Sequence, residues 1–125
     1  MKRLNKKQVM FLHTEIIRTS GGLDGLRDEG LLESAVGLPF QTFDGKELYP
    51  SLLEKAVKLG YGLIHNHSFI DGNKRVGLHA MLVFLDINHV MLEYEDSDLI
   101  QTILWVADGS LTDDDLLQWL QNHIV

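Results

Sequence analysis

The chain has no cysteine among its 125 residues, which excludes disulfide staples and thiolate metal sites. It also lacks a long apolar run: the longest, Ala80 to Leu85, is far short of the roughly 20 residues a membrane-spanning helix requires. Met1-Lys2-Arg3 leads into polar residues, not into the apolar stretch of a secretory signal. A soluble cytoplasmic protein is the expectation. Positive charge is scarce too, with 11 Lys and Arg against 18 Asp and Glu and a net charge of −7. Broad nucleic-acid binding is not expected, because a phosphate backbone needs a basic face. No repeat, linker or low-complexity segment divides the sequence, and 45% hydrophobic content can build one core. Residues 1–125 therefore read as a single domain.

What is present is helical period. Asn5 caps a first helix over residues 5–19, with Val9, Leu12, Ile16 and Thr19 recurring and Ser20-Gly21-Gly22 ending it. Asp28 caps a second over about 28–38, with Leu31, Leu32, Ala35 and Val36 inward and Pro39 as its stop. Residues 40–50 have no helical period; Asp44-Gly45 is a hairpin signal that weighs equally with a plain surface loop. Pro50-Ser51 opens a third helix striped by Leu52, Leu53, Ala56, Leu59, Leu63 and Ile64. Val76 to Ile87 is apolar on nearly every face, the pattern of a buried helix. Asp96 or Ser97 caps a helix carrying Leu99, Ile100, Ile103, Leu104 and Ala107; Thr112 caps the last, with Leu116, Leu117, Leu120 and Ile124 inward. Trp105 and Trp119 are assigned to core or edge packing. The expected fold is all-α, about six helices around a buried central one, with a short hairpin or loop between the second and third.

The chemistry gathers in His67-Ser68-Phe69-Ile70-Asp71-Gly72-Asn73-Lys74-Arg75, between two apolar helices. The leading amides of a helix have no partner inside it and carry partial positive charge, so such an end binds phosphate. Gly72 permits close backbone approach, and Asn73 to Arg75 supply the amides. Lys74 adds a point charge, and Arg75 a planar fork able to grip phosphate bidentately. Asp71 beside phosphate oxygens suits Mg²⁺, which takes one or two protein ligands and keeps its waters. His67 can accept a proton near neutrality, as a general base must. Phe69 reads as a packing anchor. Singly, each residue is ordinary turn, capping or surface chemistry. Seven specified positions at about one in twenty each recur by chance in roughly one window per billion. Other signals stay bland. His13 belongs at the surface or core edge and His79 in the core as a neutral ring. His65, His67 and His79 fit no zinc spacing. Asp71-Gly72-Asn73 is no calcium loop, since Leu82 stands at the twelfth position, and no Walker P-loop is present.

HSFIDGNKR resembles the signature H-x-F-x-[DE]-[AG]-N-[GK]-R of the Fic/Doc family, most closely its death-on-curing (Doc) branch, the toxins of two-gene toxin–antitoxin modules. The run GGLDGLRDEGLLESAVGLP is similar to the front half of Doc proteins, so the resemblance covers nearly the whole chain. Lys74 stands where the adenylylating Fic branch has Gly, and Leu78 where that branch has a second Arg. Both departures are those of the Doc branch. Ser68 stands where Pro is frequent, which loosens the backbone just after the base.

The resemblance implies transfer of the γ-phosphoryl group of ATP, with Mg²⁺, to a Ser or Thr hydroxyl of a protein, elongation factor Tu being the family's type target. His67, Asp71, Lys74 and Arg75 would be catalytic, and Gly72, Asn73, Lys74 and Arg75 would hold nucleotide phosphate. The segment after the second helix would be a flap that lays the target down as an added strand. Two alternatives stay open: transfer of AMP to a protein hydroxyl, and a catalytically inert module that binds a partner. Some relatives silence themselves with an [ST]-x-x-x-E-[GN] helix. Ser20-Gly21-Gly22-Leu23-Asp24-Gly25 approaches it, but has Asp for Glu and two helix-weakening glycines. Restraint by a separate antitoxin is expected instead.

Overall fold

Capping chemistry sets most helix boundaries. Asn5 and Gln8 form a reciprocal capping box at the start of α1 (Lys6–Ser20), and the Asp28 carboxylate accepts from the Leu31 amide to open α2 (Glu29–Gly37). Ser51 caps α3 (Leu52–Asn66), and Thr112 with Asp115 forms a second box on α6 (Asp113–His123). No side chain caps α5 (Asp96–Ala107). Neither Asp96 nor Ser97 caps it; Glu95 occupies the cap without a side-chain bond, and Asp96 and Asp98 sit in the first turn, where they complement the helix dipole. Pro39 does stop α2, which ends at Gly37. It lies buried inside a 3₁₀ turn, Leu38–Phe40, near whose start its missing amide is not needed. With α4 (Asn73–Ile87), this computed structural model, which describes residues 1–125, has six α-helices. The all-α expectation holds.

Within residues 40–50, the stretch 42–47 forms a hairpin. Strands β1 (Thr42–Phe43) and β2 (Lys46–Glu47) pair antiparallel, with Thr42 opposite Glu47 and Phe43 opposite Lys46. Asp44 and Gly45 turn with φ of 53° and 76°, the left-handed pair that suits the twist of a two-residue hairpin loop.

The core holds 22 buried apolar residues and centres on two helices rather than one. Helix α3 packs against α2, α4, α5, α6 and the 3₁₀ turn; α4 packs against α1, α3 and α5. Gly60 and Gly77 let α3 and α4 approach closely. A Cβ on Gly77 would lie 2.6 Å from Ile64 Cγ1 and 2.9 Å from the Gly60 carbonyl oxygen. Helix α4 buries Val76, Ala80, Met81, Phe84 and Leu85. His79 is not a core histidine: with Asp86, two turns on, it occupies the exposed face. On α5 the inward stripe is Leu99, Thr102, Ile103 and Val106. Ile100 and Leu104, expected on the inward stripe, are exposed, because the apolar face of α5 is wider than the face its neighbours cover; Trp105, expected in core or edge packing, is exposed as well. Trp119 is half-buried and stacked on His123, whereas Ile124 lies beyond the end of α6, exposed, in a backbone bridge with Leu92.

Candidate active site

The expected site residues fall where α3 ends and α4 begins, and the turn between these two core helices is tightly held. His67 is the C-cap of α3 in left-handed conformation (φ 54°, ψ 49°), and Gly72 is the N-cap of α4 (φ 81°). Between them, Asn73 Nδ2 donates to the Phe69 carbonyl at 3.0 Å while its Oδ1 accepts from the Phe69 amide at 3.1 Å. The Asn73 side chain thus clamps the loop, and its contribution toward a ligand is its backbone amide. Phe69 is buried as expected, its ring stacked 3.8 Å from that of His13. His13 is therefore no surface residue. It is 1% exposed, and its Nε2–H donates to the Asp71 carbonyl at 2.6 Å. A histidine becomes a core residue here because an aromatic face and a loop carbonyl meet both of its needs.

The α1–α2 loop supplies the rest of the frame. The Ser68 carbonyl accepts from the Arg27 and Asp28 amides at 2.8 and 3.0 Å, and the Gly25 carbonyl accepts from Ile70 at 3.1 Å. Arg27 Nε donates to the His67 carbonyl at 2.6 Å, and its Nη2 to that of Asn66 at 3.4 Å, satisfying carbonyls the end of α3 leaves open. Ser68 does not loosen this turn: it is fully buried, and its hydroxyl donates to Asn66 Oδ1 at 2.6 Å. Sequence reasoning assigned no role in the site to Arg27, Gly22, Leu23 or His13. The only signal was that the run holding the first three resembled the family.

These bonds leave a cleft of about 580 Å³ lined by His67, Asp71, Gly72, Asn73, Lys74 and Arg75, and walled by Ile64, His65, Ile70, Leu104 and Ala107. The structure thus brings six of the seven expected site residues to one cavity, with Phe69 beneath as packing. His67 is exposed. His65 Nε2–H donates to the Val106 carbonyl at 3.0 Å and ties α3 to α5. The first amide of α4 with a backbone partner is that of Val76, bonded to the Gly72 carbonyl, so the amides of residues 73–75 face outward unpaired. Lys74 is exposed at the rim.

Asp71 Oδ2 accepts from the Leu23 amide at 3.0 Å and Oδ1 from the Gly72 amide at 2.8 Å. These two bonds, with the charges of Arg75 and His13 adding less, hold its carboxyl below the ordinary aspartate range. It is ionised at neutral pH, with a side chain 45% exposed. Arg75 Nη1 donates to Ser20 Oγ and the Gly21 carbonyl, each at 2.7 Å, and Nη2 stands 4.0 Å from Asp71 Oδ1. One prong of the guanidinium is therefore engaged by α1, leaving Nη2 and Nε for a ligand. No cluster of three His, Asp or Glu side chains could cage a metal, so a cation here would rest on the Asp71 carboxylate and a ligand's own oxygens. The hairpin contributes no residue to the cleft lining.

The chain is similar to known proteins. The chain is 46% identical over 72 residues to the protein named Toxin Doc of Mycolicibacterium smegmatis (strain ATCC 700084 / mc(2)155), a match covering 58% of this chain and 55% of that protein. The chain thus spans about half that relative's length. It is 28% identical over 112 residues to the protein named Protein kinase doc of Escherichia phage P1, covering 90% of this chain and 87% of the phage protein. The family model described as Fic/DOC family matches residues 3–85, more than half the chain, and contains the whole motif. The chain belongs to the Fic/DOC family.

Proposed function

We propose that this protein is the toxin of a toxin–antitoxin module, a phosphotransferase that moves the γ-phosphoryl group of ATP to a Ser or Thr hydroxyl of a protein target. One observation carries the reading: free helix amides, an ionised carboxylate, two cations and an exposed imidazole meet in one cleft large enough for a nucleotide. The relative named a protein kinase, matched over most of both chains, points the same way.

His67 takes the proton of the target hydroxyl, whose oxygen forms the new bond to the γ-phosphorus. The bond from that phosphorus to the β,γ-bridging oxygen breaks, and ADP leaves with the electron pair. The amides of residues 73–75, Lys74 and the free prong of Arg75 hold the phosphates and offset charge in transfer. Asp71 would hold Mg²⁺, which supplies charge neutralisation on the phosphate oxygens when bound. Elongation factor Tu is the target we propose, with arrest of translation as the consequence.

ATP labelled at the γ or the α position, incubated with the candidate target, separates the possibilities. Label from γ supports phosphotransfer, label from α identifies AMP transfer, and none from either identifies an inert binding module. Control by a separate antitoxin fits residues 21–25, an open loop without helix, and Leu78, which offers no guanidinium for an inhibitory glutamate. Expression of this chain alone should stop growth, and the neighbouring small reading frame should restore it.

A further inference from the structure

We infer that the turn Ser20–Leu23 is a positioning element of the active site, setting the Asp71 carboxylate and the Arg75 guanidinium in place, and that Gly22 is there because only a residue without a side chain fits between them. The inference rests on the proposed phosphate-binding role of the cleft, and adds residues outside the motif to it.

Three independent contacts converge. The Leu23 amide donates to Asp71 Oδ2 at 3.0 Å. Arg75 Nη1 is held by two acceptors from the end of α1, Ser20 Oγ and the Gly21 carbonyl. Gly22 lies between, at φ 121°, and a Cβ placed on it would stand 2.6 Å from Asp71 Oδ2, 2.9 Å from Arg75 Nη2 and 3.0 Å from Ile17 Cδ1. Two of these three atoms belong to the charged groups that face the cleft. The turn gains its own rigidity from α1, since the Ser20 hydroxyl donates to the Ile16 carbonyl at 2.7 Å and the Gly21 amide bonds that of Ile17 at 2.9 Å. A guanidinium on a flexible stem would otherwise sample many rotamers; fixing one prong confines it beside Gly22 and Asp71. Electrostatic catalysis needs such preorganisation, because a group already in place need not reorient during transfer.

Gly22→Ala tests this, with Gly109→Ala as a strain control. Gly109, in the turn between α5 and α6, has φ 87° and open space around its would-be Cβ, so it reports the backbone effect alone. Two readouts are taken on the full chain. The first is restricted rotation of the Arg75 guanidinium by NMR in the free protein, which requires neither metal nor nucleotide. It should be present in wild type and Gly109→Ala and lost in Gly22→Ala. The second is ATP-dependent labelling of the target, expected to fall at least tenfold in Gly22→Ala and less than twofold in Gly109→Ala. An Arg75 as immobile in Gly22→Ala as in wild type, or equal turnover in the two variants, would overturn the inference. If wild type transfers no label, the proposed function fails while the NMR comparison still decides the positioning role. Should Gly22→Ala not fold, Ser20→Ala, at an exposed position, decides: it removes one of the two Nη1 acceptors, and unchanged Arg75 mobility would equally overturn the inference.

Discussion

The turn that carries His67 and the hairpin that follows α2 are both short connections, yet they are held in opposite ways. In the turn, carbonyl or amide groups of His67, Ser68, Phe69, Ile70 and Asp71 each have a named partner, most of them in α1 or the α1–α2 loop. In the hairpin, residues 41–48 are all exposed, and the strands bond chiefly to each other. Its one deep anchor is Lys55 on α3, 1% exposed, whose Nζ donates to the Tyr49 carbonyl and stands 3.1 Å from Glu47 Oε1. The contrast teaches a division of labour. Under the proposed function, the groups that would meet a transition state are preorganised by backbone bonds, whereas a strand pair with open edges is left for another chain.

The largest effect should come from the turn's one exposed base. His67→Ala is expected to lower target modification by about 10²–10⁴-fold, the usual worth of a general base, with the melting temperature unchanged. A mutant transferring phosphate at near wild-type rate would remove His67 from the chemistry. Asp71→Ala should come close to that loss at physiological Mg²⁺ and recover partly at higher metal. Full activity without any divalent cation would show that Asp71 has no metal to hold.

Arg27→Ala probes the frame without touching the cleft lining. Losing its bonds to the His67 and Asn66 carbonyls should cost about 1–3 kcal/mol of stability and lower kcat more than it raises KM for ATP. Loss of stability with kcat intact would mean that the αL conformation of His67 survives without the arginine. Lys55→Met asks the converse question of the hairpin. KM for the protein target should rise severalfold, while ATP affinity stays within twofold of wild type. If ATP binding weakened as much as target binding, the two regions would not be separate.

The smallest effect is one of pH. Because the folded Asp71 carboxyl titrates below its ordinary value of about 3.9, its contribution to stability is present above that value. It is lost as pH falls toward the folded value. The difference in denaturant midpoint between wild type and Asp71→Asn should therefore be present at pH 6 and shrink below about pH 4. A gap that persisted at low pH would trace to the amide substitution rather than to the carboxylate's charge.

Much of this molecule was legible beforehand because it is written locally. Caps at Asn5, Asp28, Ser51 and Thr112 act within one helical turn, the Asp44-Gly45 turn within two residues, and the motif's amides and charges lie in nine consecutive positions. Such features need no knowledge of what packs where, so composition and spacing alone determined the all-α class and the place of the candidate site. Only the tertiary structure decided which groups are free to act. It turned His79 outward and Trp105 to the surface, buried His13 under Phe69, bonded the Asn73 side chain back onto its own loop and engaged one prong of Arg75 with the end of α1. Apart from the Asn73 clamp, whose partner Phe69 is four residues away, each of those outcomes depends on a partner about 50 residues away or on which face of a helix meets its neighbour. A side chain's chemistry is local, but its availability is set by whatever the fold brings against it.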